Sequence, residues 1–482
     1  MQRETTMTHI TRRRFLGSVV GSVVWSAAYS GGLSAADETS TTMVGAAKVD
    51  ITPSYPVRLS GFGFRRQESE GVTHSIWAKA VAIGTEGGSP AILVTVDNLG
   101  VPDYMVCDLT KRLKTKAGID PTRVAVCSTH THTAPMLAGV APTLFGEPIP
   151  PDHQTHIEQY TKELADHLEQ VALAAIVDRA RSRLEWGLGS VGFAINRRAM
   201  RGNRVVGIGV NPEGPVDHDM PLLAVRSPTG KVRAIYASYA CHCVTLSNNK
   251  IGGDWAGFAQ LAIEKEWPGA VSLISIGCGA DINPSSGVTG DKMEVAAEQG
   301  QQIATEVKRL IDTGLQPLGG KLVCRLDRID LAFDTLPTRT EWQRRADLPK
   351  DNFYNRSVAY HAKIQLERLN RGEALQTHIS YPIQTWAFGN QMAMVFLPGE
   401  VVVDYSLRLK RELGAKQLWV NGYSNDVPCY IPSERILKEG GYEGGDAMRY
   451  FDRPTKFKPG LERQIIDVVH RQLDGTLARP TV

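Results

Sequence analysis

From Val44 onward, short β-branched apolar runs alternate with longer stretches whose apolar residues recur every three to four positions, a pattern that predicts strands separated by helices. Ala91-Ile-Leu-Val-Thr-Val96 and Val124-Ala-Val126 read as strands, with a helix over Tyr104 to Thr115 between them. This βαβ order favours parallel pairing. His153 to Val177 is the clearest amphipathic helix and Met293 to Ile311 is another; further strands are expected over Val232 to Tyr239, Val271 to Ile276 and Met392 to Phe396. No repeat or Pro/Ser-rich linker interrupts the series, so residues 44–482 are expected to form one domain. The expected fold is α/β, a mixed and largely parallel sheet core flanked by helices. Pro142 to Asp152, rich in proline, reads as a loop or lid.

The first forty residues follow another pattern. Thr11-Arg-Arg-Arg-Phe-Leu-Gly17 precedes an apolar stretch from Val19 to about Ala28, and small residues follow at Ser34-Ala35-Ala36. A basic start, an apolar middle and a small-residue end make an export signal, and the twin arginine before Phe-Leu resembles the signal for already folded proteins. Residues 1–36 are therefore expected to engage the twin-arginine export machinery and deliver a periplasmic or secreted protein. The apolar run contains Gly and Ser and is shorter than the roughly 20 residues a span requires, so no transmembrane anchor is expected after signal removal.

Composition narrows the function. Hydrophobic residues make up 42% and charged residues 22%, enough for a large core without a staple. Net charge is +3 with both signs interspersed, which argues against nucleic acid and for a small-molecule ligand. The seven cysteines, at 107, 127, 241, 243, 278, 324 and 429, include no Cys-x-x-Cys, so a cysteine-rich zinc site is not expected. An export compartment would permit a disulfide, but the sequence does not pair one.

Chemistry is concentrated after the strands, where open α/β sheets place their sites. Val124-Ala-Val-Cys-Ser-Thr-His-Thr-His132 delivers His130 and His132, whose side chains would point the same way on an extended backbone. Taken alone the pair also fits two surface histidines on a strand-to-helix turn. Ile235-Tyr-Ala-Ser-Tyr-Ala-Cys-His242 ends in a third imidazole, with Cys241 and Cys243 expected on the opposite face as packing. Ala393-Met-Val-Phe-Leu-Pro-Gly-Glu400 presents one carboxylate, which a helix start would equally favour. The turn-rich loop Asn421 to Ile431 carries Tyr423 and Tyr430, either of which could simply pack. Together the segments supply imidazoles, a carboxylate and a phenol, a donor set suited to a divalent ion and to zinc above all. Asp254 and Asp281 follow strands too, as candidates for a second ion or, more ordinarily, for orienting ligands and capping loops. No Gly-x-Ser-x-Gly elbow, P-loop or His-Glu-x-x-His helix is present.

Eight ordered motifs carry a resemblance. Gly45-Ala-Ala-Lys-Val-Asp-Ile-Thr-Pro53, Leu59-Ser-Gly-Phe-Gly63, Ser128-Thr-His-Thr-His132, Asn196-Arg197, Gly253-Asp-Trp-Ala-Gly257, Gly279-Ala-Asp-Ile-Asn-Pro284, Leu397-Pro-Gly-Glu400 and Tyr442-Glu-Gly444 run through nearly the whole mature chain. In this order they resemble the neutral/alkaline (non-lysosomal) ceramidase family. The resemblance implies a ceramidase-like catalytic domain over residues 44–482 without an immunoglobulin-like C-terminal domain. It also implies a zinc-dependent amidase acting on a ceramide-like N-acyl bond.

Carried over, the ligands of a single zinc ion would be His130, His242, Glu400 and Tyr430. His132 would move protons, Arg197 and Tyr430 would stabilise the carbonyl or its oxyanion, and Asn283 and Tyr442 would contact substrate. Asn283 stands where family members typically carry a serine, and an amide is no hydroxyl nucleophile. The substrate is therefore expected to be a small N-acyl or lipid-like molecule cleaved by metal-activated water. Two rivals remain open at this point: a zinc hydrolase of another ester or N-acyl envelope compound, and an exported binding protein that has lost turnover.

Overall fold

The computed structural model describes residues 42–202 and 204–477; the signal expected over residues 1–36 lies outside them. The chain lays down β1 (Thr42–Asp50), β2 (Trp77–Gly84), β3 (Ala91–Val96), β4 (Val124–Ser128) and β5 (Ala180–Ser190), then leaves the sheet for a hairpin, β6 (Ala194–Arg201) and β7 (Arg204–Asn211). It returns with β8 (Asp219–Arg226), β9 (Val232–Tyr239) and β10 (Val271–Ile276). A short β11 (Ile282–Pro284) joins the hairpin, and β12 (Gln316–Leu318) pairs with β5. Among the described residues the largest sheet has nine strands, in the order β10-β9-β8-β5-β1-β2-β3-β4 with β12 on β5.

A second sheet of β13 (Leu322–Ala332), β14 (His378–Phe388), β15 (Met392–Phe396) and β17 (Leu418–Asn421) packs on the first through Val81, Leu93, Trp386 and Trp419. Two short strands, β16 (Glu400–Val401) and β18 (Tyr430–Ile431), pair beside it. Every side chain of β3 is buried, because both faces of that strand are covered.

Helices flank the sheets as expected. α1 (Asp103–Ala117) connects β3 to β4 and ends at Gly118, whose φ of 67° is left-handed and lets its N–H reach the carbonyls of Leu113 and Lys114. α2 (Pro151–Val177) lies against β1 and β2, and its buried Ile157, Tyr160, Leu164, Leu168 and Val171 form the predicted apolar stripe. α3 (Asp254–Glu266) connects β9 to β10, and α4 (Met293–Thr313) packs on α3.

Strands expected over 91–96, 232–239, 271–276 and 392–396 have those bounds in the structure. The sheet is mixed, and parallel pairing is local: β3 with β4 across α1, β9 with β10 across α3, β15 with β17, and β16 with β18. The other pairs are antiparallel, and short hairpin turns join β2 to β3, β8 to β9 and β14 to β15.

One further expectation changes. Helix α2 begins at Pro151, and the loop before it is pinned: Thr143 donates from its N–H to the Tyr450 carbonyl and from its hydroxyl to that of Arg449. All seven cysteines are free thiols. Among the described residues no helix is long and apolar enough to cross a membrane.

Candidate active site

The strand ends converge. Ser128 N–H donates to the Tyr423 carbonyl, Gly422 N–H to that of Ile276, and Gly277 N–H to that of Tyr239, which ties the C-terminal ends of β4, β17, β10 and β9 together. The histidines project from the turns just beyond. His130 and His132 do not sit on an extended strand: β4 stops at Ser128, and His130 has a φ of 53°, a left-handed conformation that turns the chain and brings the pair to one point. β9 likewise stops at Tyr239, three residues before His242. Cys241 and Cys243 are buried packing residues, as expected.

The resulting cluster is tight. Ring centroids are 4.9 Å apart for His130 and His132, 4.8 Å for His130 and His242, and 5.6 Å for His132 and His242. One nitrogen from each ring lies within 4.8 Å of the others, a set that could hold a metal ion. Backbone carbonyls fix two of the rings: His130 Nδ1 is 2.7 Å from the Leu99 oxygen, and His242 Nδ1 is 2.7 Å from the Gly279 oxygen. A carbonyl only accepts, so each Nδ1 carries the hydrogen and each ring turns its Nε2 inward. Burial, reinforced by Arg197, pushes His242 down to about 4 and keeps it neutral.

Glu400 and Tyr430 are direct register partners in the parallel β16–β18 pair, so neighbouring strands carry the carboxylate and the phenol side by side. Glu400 Oε2 lies 3.4 Å from His130 Nε2 and 3.2 Å from His242 Nε2. It is buried and receives no hydrogen bond. The two imidazole Nε2 atoms and an unpartnered carboxylate oxygen thus meet in a buried site, with Arg197 Nη1 reaching His242 Nε2, an arrangement of acceptors that a cation satisfies. Tyr423, the other candidate phenol, instead lies against His130, with centroids 4.1 Å apart and ring planes tilted by 31°.

Arg197, on β6, faces this cluster. Its Nη1 is 3.1 Å from His242 Nε2 and donates to Asn283 Oδ1 at 3.2 Å, while its Nη2 donates to Tyr430 Oη at 3.0 Å. Asn283, on the neighbouring β11, therefore engages the guanidinium. Tyr442 stands beside Tyr430, with centroids 5.3 Å apart. Glu443 Oε1 accepts from Arg197 Nε at 2.9 Å and Oε2 accepts from Arg198 Nη1 at 2.7 Å, so one buried carboxylate clamps two buried arginines.

His132 is oriented from behind: its N–H donates to the Cys243 carbonyl, its own carbonyl accepts from Arg65, and Phe62 meets its ring edge-on. Gly61 is required beside it, since a Cβ there would lie 2.5 Å from His132 Cγ and its φ is 92°. The imidazole Nε2 is 3.2 Å from that of His130, and Nδ1 has no partner.

Asp254 and Asp281 hold backbone rather than the cluster. Asp254 accepts from Leu246 and Trp255 N–H groups; Asp281 accepts from Val403 N–H and Asn196 Nδ2. Burial pushes Asp281 up to about 7. A carboxyl whose pKa is higher folded than unfolded stabilises the fold below about pH 4 and loses that contribution as pH rises towards 7. Denaturation midpoints between pH 4 and 8 should therefore fall with pH in the parent by up to roughly 1 kcal/mol per unit and flatten in Asp281→Asn. An unchanged slope would contradict this account of Asp281.

The predicted site residues lie together here: His130, His132, His242 and Glu400 around one point, Tyr430 on the strand beside Glu400, and Arg197, Asn283 and Tyr442 next to them. The carbonyls of Leu99 and Gly279, the His130–Tyr423 contact and the Glu443 clamp were not foreseen; only Glu443, inside the Tyr442-Glu-Gly444 motif, left a signal in the sequence. Comparison with known proteins agrees with the geometry. The model of the neutral/alkaline non-lysosomal ceramidase N-terminal region matches residues 42–304. A solved ceramidase complexed with C2 covers 92% of this chain and is covered over 76% of its own, at TM-score 0.69 and 16% identity. Neutral ceramidase from Pseudomonas aeruginosa gives the same coverage, with TM-score 0.68 and 17% identity. No curated protein matches the sequence.

Proposed function

The chain belongs to the neutral/alkaline non-lysosomal ceramidase family, and from that membership we propose that it hydrolyses the N-acyl amide of a ceramide-like substrate at one divalent ion, zinc before others. The observation that carries the proposal is the meeting of His130 Nε2, His242 Nε2 and Glu400 Oε2, the last of which receives no hydrogen bond. These three, with Tyr430 beside Glu400, would hold the ion. When bound, it supplies Lewis acidity, polarising a carbonyl and lowering the pKa of water towards about 7.

The chain's own groups do the rest. Arg197 offers its guanidinium hydrogens to the carbonyl oxygen as that oxygen gains charge, helped by Tyr430. His132, neutral because burial and its two imidazole neighbours hold its pKa well down, takes a proton on Nε2 and returns it to the departing nitrogen. Asn283 has no hydroxyl to attack with and holds Arg197 Nη1, which leaves water as the nucleophile.

Purified protein should contain about one ion per chain and release fatty acid from N-acyl amides. Metal-free protein that remains active, or turnover confined to phosphoesters, would overturn the proposal; turnover of esters alone would favour the other acyl hydrolase. Residues 1–36 support export through the twin-arginine machinery to the periplasm or beyond. Replacing Arg12 and Arg13 by Lys should then retain the protein in the cytoplasmic fraction, and unaltered export would contradict that route.

A further inference from the structure

The hairpin that carries Arg197 also carries an apolar rim that nothing in the described chain covers. On β7, Val206, Ile208 and Val210 occupy alternate positions and are 57%, 51% and 58% exposed; Met200 on β6 is 38% exposed. Single exposed apolar residues are ordinary, but Val206, Ile208 and Val210 recur along one edge strand, and β-branched side chains at alternate positions are what a strand normally covers. Arg201 and Arg204, register partners at the end of the hairpin, have neither an ion pair nor a side-chain hydrogen bond among the described residues. Both are exposed, and Glu213 lies beyond the other end of β7. The glutamates near the hairpin base, Glu439 and Glu443, are already paired with Arg198 and Arg197.

We propose that this hairpin docks the protein on an anionic lipid surface, with Val206, Ile208 and Val210 entering the acyl boundary and Arg201 and Arg204 meeting lipid phosphates. Unpaired cations beside exposed apolar side chains are the complement of such a surface.

The position suits the site. β6 carries Arg197 a few residues before Met200, and Gly441, next to Tyr442, is packed against Val205 so closely that a Cβ would lie 2.9 Å from Val205 Cγ1. The turn end of the hairpin thus packs against the segment that carries Tyr442. The choice of lipid as occupant rests on the ceramide-like substrate proposed above.

The test is co-sedimentation of the full chain with phosphatidylcholine vesicles, with and without phosphatidylglycerol, run alongside hydrolysis of a short water-soluble N-acyl amide. The parent should prefer the anionic vesicles. Val206→Ser/Ile208→Ser/Val210→Ser should partition about tenfold or more weakly, and Arg201→Glu/Arg204→Glu should lose the preference for phosphatidylglycerol, with soluble-substrate turnover unchanged in both. Residues 1–41 are common to all variants, so Ile208→Trp gives a local readout: its added emission should shift to the blue on vesicle addition. A triple variant that sediments like the parent together with an unshifted Ile208→Trp spectrum would overturn the proposal. So would vesicle-independent dimerisation that the triple variant abolishes, which would assign the rim to a second copy. Vesicle binding lost in the triple variant of a protein that cleaves no N-acyl amide would support the lipid surface and count against the proposed hydrolysis.

Discussion

Replacing His130 by alanine is expected to abolish metal uptake and to lower hydrolysis of an N-acyl amide by about 10³-fold or more. Polarisation by a bound ion contributes several kcal/mol in the transition state, and each ~1.4 kcal/mol is a factor of ten in rate. His130 is the hinge of the cluster: its left-handed backbone, its Nδ1 held by Leu99 and its ring set against Tyr423 all aim Nε2 at Glu400. The informative control is His132→Ala, which should keep the metal yet lose about 10²-fold or more in rate, because it removes a proton carrier and leaves His130, His242 and Glu400 intact. Metal analysis and initial rates on the two proteins separate the roles. Parent-like metal and activity in His130→Ala would remove the basis for a metal site and favour an exported binding protein.

The second large effect belongs to Glu443. Truncation to alanine should cost about 3–5 kcal/mol of stability, because Arg197 loses its carboxylate and Arg198 keeps only the partly exposed Glu439, inside a buried region. In the protein that folds, kcat should also fall by about tenfold or more, since the freed guanidinium of Arg197 can no longer be held towards Asn283 and Tyr430. Glu443→Asp separates the two effects: it retains the charge but shortens the reach, so more stability than kcat should return. A Glu443→Ala protein with parental melting temperature and kcat would show that the clamp is incidental.

Much of the fold was legible because burial leaves a periodic trace. The fully apolar Ala91–Val96 and the striped helix α2 each announce their environment through hydrophobic spacing, and their positions follow closely. The balance of parallel and antiparallel pairing was less legible. It depends on which connections are hairpins, and β8 to β9 reads no differently from a crossover until its turn is seen. In the site, residue type and motif order pointed to His130, His242, Glu400 and Tyr430, but the means of convergence did not show. A positive φ at His130 and a two-residue strand pairing Glu400 with Tyr430 are tertiary facts, imposed by neighbours far away in the chain. Backbone carbonyls such as those of Leu99 and Gly279 carry no side-chain signature at all, although they decide which nitrogen of each imidazole faces inward.

The most direct measurement is anomalous diffraction from crystals of the purified protein, recorded on both sides of the zinc absorption edge. One peak bounded by the Nε2 atoms of residues 130 and 242 and the carboxylate of residue 400 is the predicted result. Protein that turns over an N-acyl amide while showing no peak there, or showing its only peak elsewhere, would contradict the account.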